Sequence, residues 1–255
     1  YQISIINTTA RIAITGPIIL FLLMYQKRLC GYFISSFDFS KDTYYIPISV
    51  LGIGSKFAKN GLSFNQNTDF IIEVNGKENT RILCDEYYDL FGYKYGVIKK
   101  IFPDKVNLQK NTGNYIGINT FVSNEMYLPE DKLYIEPKFY ESGLLNFGNA
   151  NPDSENYNSQ ADFYYKDGVL EIRVAWYLLN VANARLGICM SEFTSEKVEY
   201  TDIKDISIGC GENGEISLYS ASFSPLGDIK TTERLKQSYY ILKETFANIN
   251  GRLMP

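Results

Sequence analysis

Ala161-Asp-Phe-Tyr-Tyr-Lys-Asp-Gly-Val-Leu-Glu-Ile-Arg-Val-Ala-Trp-Tyr-Leu-Leu-Asn180 spells a strand, a turn, a second strand and a short closing turn. Lys166-Asp167-Gly168 supplies the turn, because Asp-Gly between apolar runs readily adopts hairpin geometry. Beyond it, Leu170, Ile172 and Val174 fall on one face and Glu171 and Arg173 on the other. That period of two marks a half-buried antiparallel strand. Trp176, the only tryptophan, and the Leu178-Leu179 pair are expected to close over the strand end.

The same signals recur outward from this hairpin. Residues 44–50, 70–74 and 80–84 read as strands, with Asn75-Gly76 as a hairpin turn between the last two. Residues 85–114 lose this periodicity and read as an inserted loop region that packs through its tyrosines. Strands resume at 115–121 and 133–136, and 139–158 is loop-rich. Three more follow at 186–190, 206–209 and 216–223, with Gly211-Glu-Asn-Gly214 as a turn. Residues 231–249 are the one convincing helix, with Thr232 as its cap. Leu235, Tyr239, Leu242, Phe246 and Ile249 line one stripe, which predicts a helix docked on the core. The fold class is therefore all-β, a mainly antiparallel β-sandwich with a C-terminal helix, in a single domain over 1–255.

Composition narrows the function. The 255 residues are 45% hydrophobic with net charge −4, and acids and bases are interleaved, so no basic stripe points to nucleic acid. The chain has no histidine, which excludes Ser-His-Asp and Cys-His nucleophile systems and His-ligated zinc or haem. Cys30, Cys84, Cys189 and Cys210 show no C-x-x-C spacing, so free thiols are expected. Between Arg11 and Lys27 lie 15 uncharged residues, short of the ~20 that span a bilayer as a helix, and Gly16-Pro17 interrupts them. Two core strands, 3–15 and 18–26, are expected instead, with no membrane insertion by this segment. Gly52-x-Gly54-Ser55-Lys56 lacks the context of a phosphate cradle, and no cofactor is expected. The start at Tyr1 reads as that of a fragment of a larger protein.

The hairpin resembles the β-sandwich family that includes family 9 carbohydrate-binding modules and DOMON-like domains, where Glu-Ile-x-Ile-Pro-Trp-x-x-Leu is typical. Ala175 stands at the proline position. Tyr44-Tyr-Ile-Pro-Ile-Ser49, Asp69 through Leu83 and the Asn-rich run 148–159 look like one bacterial branch of it, found at the C-terminal end of membrane-associated proteins labelled hypothetical or family 2 glycosyltransferase. The resemblance covers most of 43–190. It implies a non-catalytic, extracytoplasmic module of a larger cell-envelope protein that binds an oligo- or polysaccharide, with room for a membrane-anchored parent.

Under that resemblance Tyr140, Tyr157, Tyr164 and Tyr177 are the candidate sugar platforms, with Asn149, Asn151 and Asn158 as polar partners. A tyrosine face stacks on sugar C–H groups while its hydroxyl hydrogen-bonds. The two-tryptophan clamp known in the family has no counterpart here. One alternative is a glycan-acting hydrolase using carboxylates of Asp85-Glu-Tyr-Tyr-Asp89 and of the 153–162 loop, although sequence adjacency does not set the roughly 5–10 Å separation that glycoside hydrolysis needs. Another is a purely structural C-terminal domain. Asp153, Glu155, Asn158 and Asp162 could supply calcium oxygens, but turn chemistry accounts for them, and no catalytic or metal residue is assigned.

Overall fold

The computed structural model describes residues 9–13, 19–24, 28–34, 38–39, 41–90, 92, 96, 109–193, 197–223 and 237–250. Its centre is the hairpin of Phe163–Lys166 and Val169–Ala175, in register from Phe163↔Ile172 to Lys166↔Val169. Asp167 and Gly168 have φ of 51° and 76°, the two positive values of a type I′ turn, whose twist matches that of the strands. Leu170, Ile172 and Val174 are buried while Glu171 is exposed.

This hairpin lies at one edge of a five-stranded sheet, in the order Thr9–Ala13, Ile19–Met24, Arg28–Ile34, Val169–Ala175, Phe163–Lys166. The expected strands 3–15 and 18–26 are the first two, paired antiparallel from Thr9↔Leu23 to Ala13↔Ile19. The burial expected of their side chains lies outside the described residues. A six-stranded sheet runs Tyr219–Ser222, Asp205–Ile208, Tyr44–Ser49, Phe70–Val74, Arg81–Asp85, Tyr115–Gly117. Leu29, Phe33, Phe163, Leu170, Ile172 and Val174 of the first sheet share one apolar core with Ile46, Ile48, Phe70, Ile72, Val74 and Ile82 of the second.

The six-stranded sheet is covered on its other face too. Ser55–Phe57, Ser63–Thr68 and Glu215–Ile216 form a small sheet there, around a second core of Leu62, Phe64, Ile71, Ile216 and Leu218. Double coverage explains why 44–49 and 70–74 are near-continuous apolar runs, since strands covered on both faces need no polar alternation. Pro47 costs this central strand one ladder bond: its carbonyl accepts from Gly209 N at 3.0 Å with no N–H to return, and the pairing resumes in both directions between Tyr45 and Gly211. Most described strand pairs are antiparallel; Glu215–Ile216 against Ser63–Thr68 is parallel.

Several expectations are corrected. The looser region does not begin at 85: Asp85 ends a strand, a 3₁₀ turn spans Glu86–Tyr88, and Asp85, Tyr88, Asp89 and Leu90 are buried. Tyr88 donates to the Met190 carbonyl at 2.5 Å, so this tyrosine does pack, within the main core. Tyr93 and Tyr95 lie outside the described residues. The 216–223 strand is two, Glu215–Ile216 and Tyr219–Ser222, which join different sheets.

The largest correction concerns the helix. Gln237–Asn250 is helical, but side chains 238–248 are exposed, including Tyr239, Leu242 and Phe246. Both faces of the six-stranded sheet are already covered, and Trp176, Leu178, Leu179 and Phe223 join the main core. An apolar stripe records a preference for burial, not a surface in the same chain able to satisfy it. Thr232, Leu235 and Gly251 lie outside the described residues. All four cysteines are free thiols. Among the described residues, no helix is long and apolar enough to cross a membrane.

Candidate ligand-binding face

The alternation that buries Leu170, Ile172 and Val174 turns Glu171, Arg173 and Ala175 to the opposite face of the five-stranded sheet. Register then places Cys30 beside Arg173 and Arg28 beside Ala175. Asp162, just before the hairpin, ties this face to the Asn-rich loop. Its Oδ1 accepts from Arg28 Nη1 at 2.7 Å, and its Oδ2 accepts from the Asn146 backbone N–H at 3.1 Å and Nδ2 at 2.9 Å. Its carbonyl accepts from the Arg173 N–H at 2.7 Å, and the Arg173 guanidinium donates to the Ala161 carbonyl.

The electrostatics follow from this crowding. Burial, then the charge of Arg28, lowers the Arg173 pKa, with Cys30, Asp162 and Tyr157 opposing. Partial burial, then the Asp162 carboxylate, raises the Tyr177 phenol, with Arg28 opposing and Tyr140 adding. Burial pushes the Cys30 thiol up to about 11, outweighing Arg173 and Arg28. Cys30 is therefore a neutral thiol at pH 7, not a nucleophile.

Three of the four candidate tyrosines are exposed within electrostatic reach of these charges, Tyr157 of Arg173 and Tyr140 of Tyr177. Tyr140, Tyr157 and Tyr177 are 61%, 48% and 56% exposed. Tyr177 follows Trp176 in the 3₁₀ turn Trp176–Leu179, held by Asn180 in the left-handed region at φ 56°, a conformation asparagine tolerates. Tyr140 rides on Lys138–Glu141, which the Arg81–Glu141 ion pair anchors at 3.0 Å. Tyr164, opposite Glu171 in the register, is half-buried, its ring 5.6 Å from that of Phe147, which also packs on Phe163 and Tyr165 at the sheet edge.

The three asparagines build the loop. Asn149 Oδ1 accepts from Asn151 N, Asn151 Oδ1 from Asp153 N, and Asn158 Oδ1 from Gln160 N, at 2.9–3.0 Å. These are successive Asx turns, closed by Asn158 N on the Asn149 carbonyl at 2.7 Å. Asp153 and Glu155 are exposed, while Asp162 is occupied by Arg28 and Asn146. Among the described residues, no group of three or more His, Cys, Asp or Glu side chains is placed to hold a metal ion. Asp85 accepts from Ser55 Oγ at 2.7 Å and Tyr87 N at 3.0 Å, and Asp89 from Gly92 N at 3.0 Å. Both carboxylates are buried and act as local caps.

Sequence reasoning missed the arginines. Arg173 was visible as the polar side of a period-two strand, but Arg28 joins it only through a strand register 145 positions away in the chain. It also missed a second feature remote from this face. Fully buried Asp69 accepts five backbone N–H groups: Val50, Leu51 and Gly52 on Oδ2, Ile53 and Gly54 on Oδ1, at 2.6–3.0 Å. Gly52 has φ +68°, and a Cβ on Gly54 would lie 1.9 Å from the Thr68 carbonyl. The Gly-x-Gly run is thus an anion nest, and the anion it holds is a carboxylate of its own chain. No family model, curated protein or solved structure matches this chain.

Proposed function

We propose that this chain is a non-catalytic carbohydrate-binding module of the family 9-like β-sandwich type, part of a larger extracytoplasmic, cell-envelope protein. The observation that carries the reading is a cleft lined by Arg28 and exposed Tyr177, with Asp162 bound to Arg28 and exposed Tyr157 and Tyr140 within electrostatic reach. Phenol faces suit sugar C–H groups, and guanidinium and phenol hydrogens suit sugar hydroxyls. The supporting strands are paired in register and the loop is laced by Asx turns, an arrangement that favours holding the groups in place before a ligand arrives. The envelope setting is drawn from the sequence resemblance of residues 43–190. A glycan array probed with the purified chain tests the reading: specific retention on at least one glycan class is expected, and a blank array contradicts it.

A further inference from the structure

We propose that the sugar site extends along the β-ribbon of residues 119–141, so that the module grips a run of several units of a neutral polysaccharide. The inference rests on the carbohydrate-binding reading and names the ligand class of that site. In the ribbon Asn119–Ser123 pairs with Lys138–Glu141, and Met126–Leu128 pairs with Leu133–Ile135. Two residues on each side, 124–125 and 136–137, separate the pairings, so Ser123↔Lys138 leads on to Met126↔Ile135 without a shift. Alternation then puts Tyr134, Glu136, Lys138 and Tyr140 on one face, with Tyr127 directly opposite Tyr134. The Tyr134 phenol donates to the Glu125 carboxylate, a diagonal contact that places Glu125 on the same face.

This face offers rings in series. Tyr127 and Tyr134 are 57% and 49% exposed, and Tyr140 lies within electrostatic reach of Tyr177 at the cleft. At about 3.3 Å per residue, Tyr134 stands roughly 20 Å along the ribbon from Tyr140. One sugar cannot cover that distance. An extended chain can, because a phenol ring stacks on the C–H face of each unit it meets. Charge selects the kind of chain. The ribbon carries five acids against two lysines, so it repels a polyuronate, whereas its carboxylates accept hydrogen bonds from neutral hydroxyls.

The test is binding of the whole chain to an array printed with glucan, mannan, N-acetylglucosamine and galacturonan series, each from one to eight units. In at least one neutral series, affinity should rise about tenfold or more between two units and the longest member, as two further rings engage. Tyr127→Ala/Tyr134→Ala should remove that rise at unchanged melting temperature and leave two-unit binding as in wild type. Tyr127→Phe/Tyr134→Phe keeps the rings and should retain the rise. Binding independent of length overturns the inference, as does a double alanine variant that binds the long members like wild type. Tighter binding to the galacturonan series than to any neutral one overturns it too. The carbohydrate reading survives all three results. Binding to no glycan overturns both.

Discussion

Asp69 shows how much one side chain can hold. Its carboxylate satisfies five N–H groups of the 50–54 loop, so Asp69→Ala would orphan several buried donors at once. We expect a loss of about 4 kcal/mol or more, with Asp69→Asn losing less because its amide oxygen still accepts. Urea denaturation measures both, and a change below about 1 kcal/mol for the alanine variant contradicts the nest. Trp176 is 4% exposed and packs edge-on against Phe223 at 6.0 Å; its replacement by alanine should cost about 3–5 kcal/mol. Asp85 adds a pH dependence. Burial raises its pKa above the ordinary value, against the pull of Ser55 and Tyr87, so the fold favours the protonated acid. That stability is present below the ordinary carboxylate value and lost as pH rises through the folded value. Asp85→Asn, neutral throughout, should therefore gain on wild type as pH rises across that window; melting temperatures whose difference stays constant with pH contradict this. Trp176 was legible from its place at the end of an alternating strand. Asp69 was not, because its partners are backbone groups 15–19 positions upstream and only Gly52-x-Gly54 hinted at them.

Among elements, the central hairpin was readable because two local signals agree: period-two alternation and an Asp-Gly turn, realised as Asp167 and Gly168 at positive φ. The strands at 44–49 and 70–74 were also visible as strands, but not why they are apolar throughout. That depends on the small sheet of 55–68 and 215–216 covering the far face. The C-terminal helix marks the limit of such reading. Its 3.6-residue stripe fixed its type, whereas docking depends on unoccupied apolar surface elsewhere, which no local pattern reports. Removing residues 237–255 should accordingly change stability by about 0.5 kcal/mol or less. A marked fall in the melting temperature of that truncated chain would show that the helix docks after all.

At the scale of the whole molecule, two sheets share the main core, and the central hairpin turns Glu171 and Arg173 to its other face. Tyr140, Tyr157 and Tyr177 were legible as exposed aromatics near loops. Their relation to Arg28 and Arg173 was not, because it depends on the Arg28–Asp162 pair and the Asp162–Asn146 bonds that tie the 146–162 loop to the sheet. Asn149, Asn151 and Asn158 were visible as polar residues, yet their side-chain oxygens close turns. The proposed sugar site stands or falls on the tyrosine rings of this face. Isothermal titration of wild type and Tyr157→Ala/Tyr177→Ala with the glycan best retained on the array, beside their melting curves, tests it most directly. Two stacked rings at about 0.5–1.5 kcal/mol each predict roughly tenfold or greater loss of affinity at unchanged melting temperature, since both rings are exposed. Undiminished binding by the double variant would contradict the claim.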